Sequence, residues 1–249
     1  MNNKTYLYGR NPVIEALKEG KGVEKVFLSF NASGDGISKI YTIAKSKGIQ
    51  IVKYDRRKFT DLEKKAGIPS RESQGVIAQR ELIKFTALEH LLDLNIKTNS
   101  NPIIVALDGI EDPHNLGAIA RSAECSGARG LIVSTRASAP VTPTAVKASA
   151  GALETLRTAK VENLGSALEE AKDEGWWIVG TDLNAQNSYT DAIYDKPIVL
   201  VIGSEGKGIR PSVKQKCDHL IQIPMRGKTQ SLNASVSAGV VLFEILRQS

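Results

Sequence analysis

The sequence predicts an α/β protein in two parts: a small α/β domain, then a larger one built on a mostly parallel sheet. Three observations carry this. Short apolar runs such as IIVAL (Ile103 to Leu107), GLIVS (Gly130 to Ser134) and IVLVIG (Ile198 to Gly203) have the character of strands buried on both faces. Segments with apolar residues at helical spacing lie between them, and such alternation marks a parallel sheet covered by helices. A polar, turn-rich stretch, KTNSNP (Lys97 to Pro102), separates a first strand–helix series from a second. A chain of 249 residues accommodates one large domain or two smaller ones.

In the first series, Val13 to Leu17 has helical spacing behind Asn11-Pro12, a cap followed by Pro in the first turn. Val23 to Phe30 reads as a strand, Ile37 to Ser46 as a helix stopped at Gly48, and Ile49 to Tyr54 as a strand. Phe59 to Lys65 reads as a helix and Gly75 to Gln79 as a third strand. Residues 1–80 are therefore one small domain, and 81–101 a linker in which Leu88, Leu91, Leu92 and Leu94 form a short amphipathic helix.

Residues 102–249 form the second domain. Asn115 to Ser126 places Leu116, Ile119, Ala120 and Ala123 on one helical face and ends at Gly127. Ala145 to Leu153 and Leu164 to Lys172 read as helices, and WWIVGTD (Trp176 to Asp182) and LIQIP (Leu220 to Pro224) as strands. The last quarter is the most informative. IGSEGKGI (Ile202 to Ile209) and IPMRGKTQSLNASVSAGVVLFEIL (Ile223 to Leu246) are loops following strands, crowded with Gly, Ser and Asn, the second running into a long apolar-faced helix. Loops at the carboxyl ends of parallel strands form ligand crevices.

Composition narrows the function classes. Aromatic residues make up 5% of the chain, too few for single-stranded nucleic acid binding by extensive stacking, whereas a net charge of +6 suits a polyanionic partner. Cys125 and Cys217 stand alone, without metal-ligand or redox spacing, as expected of a cytosolic protein. The N-terminal MNNKTYLYGR has no apolar signal core and no run approaches the ~20 residues that span a bilayer, so a soluble cytoplasmic protein is expected. Neither a dinucleotide fingerprint nor a Walker loop is present. GSEGKG (Gly203 to Gly208) resembles a phosphate loop, but Glu205 would repel phosphate and Lys207 precedes Gly instead of Ser or Thr. His90, His114 and His219 lie near no nucleophile elbow, and no cluster has metal-ligand spacing, so no metal is expected.

What remains is a constellation of Asn115, Arg121, Glu205, Ser231 and Asn233. Each has an ordinary structural reading: Asn115 as the cap of its helix, Ser231 and Asn233 as caps of the last one, Glu205 as a turn carboxylate, Arg121 as a solvated side chain. Their shared placement in and beside loops that follow strands of one sheet argues for a joint role.

At these residues the chain resembles the SpoU branch of the SPOUT superfamily, AdoMet-dependent RNA ribose 2′-O-methyltransferases. Three blocks carry the resemblance in the family's order: DPHNLGAIARSAECSGARGLI (Asp112 to Ile132), VIGSEGKGI (Val201 to Ile209) and IPMRGKTQSLNASVSAGVVLFE (Ile223 to Glu244). YGRNPVIEAL (Tyr8 to Leu17) and SQGVIA (Ser73 to Ala78) resemble the family's small substrate-binding domain, related to ribosomal RNA-binding proteins; Ser73 stands where many members have His.

The resemblance implies a SPOUT catalytic domain with a deep trefoil knot, a departure from the general rule against threaded chains. It also implies a homodimer in which the knotted regions form or complete the active sites. S-adenosyl-L-methionine is the implied cofactor, gripped mainly by backbone at Gly203, Ile223, Met225 and Leu232. RNA is the implied substrate, with a guanosine of large-subunit (23S) rRNA as the expected target. Transfer RNA is the alternative substrate, and a non-catalytic ribosome-assembly factor the alternative class. Arg121 matches the Arg often proposed as the base. A guanidinium stays protonated at accessible pH, so stabilising the developing alkoxide and orienting the adjacent phosphate is the easier role. Asn115 and Asn233 are expected to orient the ribose and Arg121, Glu205 to align a loop amide or the arginine, and Ser231 to hydrogen-bond the substrate.

Overall fold

A computed structural model describes residues 4–20, 22–69, 71–95, 101–135, 138–191, 194–229 and 231–248. The chain divides into two compact units, Asn2–Ile83 and Lys84–Ser249. In the first, β1 (Lys4–Tyr8), α1 (Arg10–Glu19), β2 (Val23–Ser29), α2 (Asp35–Ser46), β3 (Gln50–Tyr54), α3 (Arg56–Lys65) and β4 (Val76–Glu81) follow in order. The sheet order is β1-β4-β2-β3, with β4 antiparallel to both neighbours and β2 parallel to β3. Val13 and Leu17 of α1 and Ile37, Ile40 and Ala44 of α2 bury their faces against Val26, Leu28, Val76 and Ala78 of the sheet.

Two local readings change. The cap of α1 is Gly9, at φ 89°, so Asn11-Pro12 lies inside the first turn. KTYLY forms β1, an edge strand pairing with β4 alone, whose short polar-bounded run did not read as a strand. Ser73 is buried and donates its hydroxyl to Glu63 Oε1 at 2.5 Å, so that position serves the domain's interior.

The second unit contains β5 (Phe85–Thr86), α4 (Leu88–Leu92), β6 (Ile103–Asp108), α5 (Pro113–Cys125), β7 (Gly130–Ser134), α6 (Pro143–Ala148), α7 (Ala152–Thr155) and β8 (Arg157–Val161). These are followed by α8 (Leu164–Asp173), β9 (Trp177–Thr181), β10 (Asn187–Ser188), β11 (Ile198–Gly203), α9 (Pro211–Lys214), β12 (His219–Gln222) and α10 (Ala234–Gln248). The eight strands are ordered β10-β12-β9-β11-β6-β7-β8-β5, and every pairing is parallel. All six residues of β6 are buried, as a strand covered on both faces requires. Ile104 and Ala106 face a cluster with Leu91, Leu164, Leu168 and Val213; α5 and α10 pack together on the opposite face.

Residues 84–95, expected within the linker 81–101, belong to this second unit. Phe85–Thr86 pairs with β8, Leu91 and Leu92 are buried, and the indole of Trp176 donates to Leu92 O at 2.9 Å. The amphipathic leucines had a partner surface that local spacing does not reveal. Most of the polar stretch from Lys97, residues 97–100, lies outside the described residues. RTAKV forms β8 although its ends are polar, and the helix expected over 145–153 divides where Ala150 (φ 50°) and Gly151 (φ 91°) turn left-handed.

The β9–β11 connection determines the topology. It leaves β9 beside Ile221, crosses to pair with the same residue from the other side as β10, and returns to β11. The connection thus passes the end of β12 on its way out to the sheet edge and again on its return, and the chain continuing past Gln222 leads into α10. Gln248 Nε2 donates to Thr190 O at 3.2 Å and ties the last turn of α10 to the β9–β11 connection. Among the described residues no helix is long and apolar enough to cross a membrane.

Cys217 closes the turn between α9 and β12, its thiol donating to Val213 O at 3.6 Å. Burial, reinforced by the neighbouring Asp218 charge, pushes the thiol up to about 12. Alkylation of Cys217 by iodoacetamide near pH 8 should be at least about 100-fold slower in the folded protein than in urea, measured by peptide mass spectrometry. Comparable rates would show that this turn opens freely.

Candidate active site

The carboxyl ends of β9, β11 and β12 open into a cavity of about 550 Å³, lined by Gly203, Glu205, Ile223, Met225, Ser231 and Leu232 among others. All four residues expected to grip a cofactor thus border one space, together with two of the five expected to work on the substrate. The volume falls in the usual range for a nucleoside-sized ligand.

The loop after β11 shapes one wall. Ser204 and Gly208 form an isolated antiparallel bridge, with Gly208 N donating to Ser204 O at 2.8 Å. A Cβ on Gly203 would lie 2.3 Å from the carbonyl carbon of Gly208, so the fold over the strand end leaves room only for glycine. Beyond the bridge, Arg210 donates its backbone N–H and its Nε to the two carboxylate oxygens of Asp108, each at 2.7 Å. Asp108 ends β6, is fully buried, and is held by these charge-assisted bonds.

Asp108 and Arg210 escaped the sequence reading because 102 residues separate them. The available signal was a carboxylate at the end of an otherwise wholly apolar strand, a residue that cannot be buried without a partner.

Glu205 joins the loop to two helices. Its Oε1 accepts from Asn115 Nδ2 at 3.1 Å, from Asn233 Nδ2, and from the backbone N–H of Ala234 at 3.4 Å. Asn233 Nδ2 also donates to Asn115 Oδ1 at 3.0 Å, closing a triangle among three separate segments. Asn115 is not the cap of α5. Asp112 fills that role by accepting from His114 N at 2.9 Å, with Pro113 following, and Asn115 is left free to face Glu205. Asn233 does both jobs, since its Oδ1 accepts the Ser235 N–H at 2.9 Å and caps α10.

The remaining expected residues stand apart. Ser231 lines the cavity without a hydrogen-bond partner among the described residues. Arg121 lies two turns along α5 from Asn115, is exposed, and makes no hydrogen bond or ion pair with the described residues. The expected contacts of Asn115, Asn233 and Glu205 with Arg121 are therefore absent among the described residues; the three hold each other instead.

On the opposite wall, Asp182 pairs with Lys214 and accepts the Asn184 N–H at 2.8 Å. Burial would raise its carboxyl, but the Lys214 ammonium and this amide outweigh it and hold the group below the usual carboxylate range. Among the described residues no group of three or more His, Cys, Asp or Glu is placed to hold a metal ion.

Comparison with known proteins agrees with this geometry. Residues 102–243 match the SpoU rRNA Methylase family, and residues 6–83 match the RNA 2′-O ribose methyltransferase substrate binding family. YacO of Bacillus subtilis, assigned to the TrmH family of tRNA/rRNA methyltransferases, is 40% identical over 243 residues, covering 98% of this chain and 95% of its own length. The SpoU methyltransferase AviRb from Streptomyces viridochromogenes, solved with AdoMet, is 27% identical with a TM-score of 0.61, covering 99% of this chain and 90% of AviRb. An AdoMet-bound rRNA methyltransferase from Sinorhizobium meliloti shares the fold at 24% identity and a TM-score of 0.65, covering 98% of this chain and 87% of that one. With both domains matched in order and a relative 40% identical over nearly the whole chain, the chain belongs to the SpoU family of RNA 2′-O ribose methyltransferases.

Proposed function

We propose that the chain methylates a ribose 2′-hydroxyl in large-subunit (23S) rRNA, most simply of a guanosine, with S-adenosyl-L-methionine as donor. The observation that carries the reading is the Asn115–Glu205–Asn233 triangle at the rim of a backbone-walled cavity. The cofactor, when bound there, supplies an electrophilic methyl on a sulfonium. Gly203, Ile223, Met225 and Leu232 fit its adenosyl part, because loop backbone can read an adenine edge and Gly203 permits close approach. The family name of the catalytic domain and the presence of a substrate-binding domain favour ribosomal over transfer RNA. The cytoplasm, where large-subunit RNA is assembled, is the proposed setting.

The chain's own residues position the substrate. Glu205 and Asn233 hold Asn115 in a fixed orientation, so its second Nδ2–H can meet the ribose with little reorganisation, while Asn233, with both amide hydrogens engaged, positions Asn115. Ser231 offers a free hydroxyl to the RNA. Arg121, always cationic, stabilises negative charge on the 2′-oxygen as its proton passes to solvent water and the methyl moves from the sulfonium to that oxygen, and orients the neighbouring phosphate. Its distance from the triangle fits a site completed by a second copy of the chain. Val236, Phe243 and Leu246 of α10 are 48%, 50% and 46% exposed on one stripe, an apolar face suited to that homodimer.

The direct test is transfer of labelled methyl from AdoMet to total RNA, with mapping of alkali-resistant positions. Label in 23S rRNA is expected, and label confined to transfer RNA would overturn the ribosomal assignment. Arg121→Lys should lower the single-turnover rate by about 100-fold with AdoMet affinity unchanged, because a point charge cannot replace the bidentate fork. A near-wild-type rate would exclude any need for the guanidinium. Asp108→Asn should lower stability by about 2 kcal/mol or more in urea melts and weaken AdoMet binding in calorimetry, since it leaves the Arg210 end of the loop poorly held. Unchanged AdoMet affinity would remove this buried pair from the cofactor site's support.

A further inference from the structure

The N-terminal unit carries a surface that its own packing does not explain. Phe30 directly follows β2 and is 72% exposed, the most of any large apolar side chain among the described residues. Its backbone is fixed: Phe30 N donates to Tyr54 O at 2.8 Å and Ala32 N to Ser29 O at 2.9 Å. One exposed aromatic is ordinary by itself. Its surroundings are not.

At this end of the sheet β1, β2 and β3 finish, β4 begins, and α1, α2 and α3 all start. Four of the unit's five arginines gather here: Arg10 opening α1, Arg56 and Arg57 opening α3, and Arg71 in the turn before β4. None forms an ion pair among the described residues, although carboxylates are near. Those carboxylates are engaged otherwise: Glu72 accepts from the Tyr8 hydroxyl at 3.3 Å, Glu63 from Ser73, and Asp55 caps α3. Asp35, in the first turn of α2, adds a fourth carboxylate to these three, which keep their charge while accepting hydrogen bonds.

Arg10 is pre-positioned. Gln74 accepts its backbone N–H on Oε1 at 3.2 Å and its Nε–H on the main-chain oxygen at 3.4 Å, leaving the terminal nitrogens unpartnered among the described residues. Gln74 and Arg71 sit at φ 50° and 72°, left-handed conformations that are costly for side-chain-bearing residues and are held by the surrounding turn.

An exposed ring on a hydrogen-bonded backbone, at the same end of the sheet as unpaired guanidinium groups, matches single-stranded RNA, whose splayed bases stack on aromatics while phosphates take bidentate arginines. We propose that this end of the N-terminal unit is a clamp for one unpaired base of the RNA substrate, with Phe30 as the stacking platform and Arg10, Arg56, Arg57 and Arg71 on the flanking phosphates. A single platform is compatible with the low aromatic content of the chain. The proposal rests on the reading of the protein as an RNA methyltransferase.

The test uses the full-length chain and protein-free total RNA from cells lacking the gene. Phe30→Ala should raise the Kd in filter binding and the KM for this RNA by about ten-fold, with AdoMet affinity and kcat unchanged. Phe30→Trp should bind like wild type and Phe30→Leu like Phe30→Ala, which separates stacking from simple hydrophobic contact. Replacing Arg56 and Arg57 with Gln should flatten the dependence of log affinity on log salt by roughly 0.7 for each phosphate no longer neutralised. Unchanged RNA affinity in Phe30→Ala, or full rescue by Leu, would overturn the clamp. So would a change in the oligomeric state of RNA-free Phe30→Ala, which would make the ring a protein contact. Filter binding needs no turnover, so a wild-type chain that binds this RNA without methylating it would sink the methyltransferase reading alone.

Discussion

One carboxylate oxygen, Glu205 Oε1, holds the active-site region together. The loop that carries it contains Gly203, Gly206 and Gly208 and so has few side chains with which to pack against anything. Its position comes from polar contacts: the Ser204–Gly208 bridge, the Arg210–Asp108 pair, and the three donors that converge on Glu205. Because those donors belong to the first turn of α5 and the start of α10, the loop inherits the rigidity of two packed helices. A polar network in which every member is partnered fixes geometry more strongly than its separate bonds suggest.

The strand order makes that arrangement possible. The chain leaves β12 and forms α10, which packs on α5 across the sheet from α8. Ile223, Met225, Ser231 and Leu232 are thereby brought against the loop from β11, and the cavity has backbone on several sides. Asn233 shows the economy of the result. One oxygen caps α10 while the amide nitrogen secures Glu205, so the helix cannot begin elsewhere without dismantling the rim.

Much of this was legible from residue pattern. The buried strands of the second unit announced themselves as apolar runs, because a strand covered on both faces tolerates almost nothing else. β11 and β7 have the bounds their hydrophobicity suggests. Strands at edges, such as β1 and β10, and the polar-ended β8 did not, since a half-exposed strand needs less apolar character. The four residues expected to grip the cofactor line one cavity because their motifs end on adjacent strands. The ordinary reading of Asn115 as a cap failed for a local reason: Asp112-Pro113 forms a better helix start three residues earlier.

The sequence by itself determined the two-part organisation and the parallel sheet and singled out the candidate site residues, because periodicity, turn chemistry and motif order are local properties. Only the tertiary structure decided which of those residues touch. It joined Asn115, Glu205 and Asn233, left Arg121 outside their network, paired Asp108 with Arg210, and drew the amphipathic Leu88–Leu92 helix into the core. The loops after β11 and β12 border one cavity only in the folded sheet, where the strand order sets their ends on either side of β9, and contacts such as Asn115 with Asn233, 118 residues apart, are set by topology and packing.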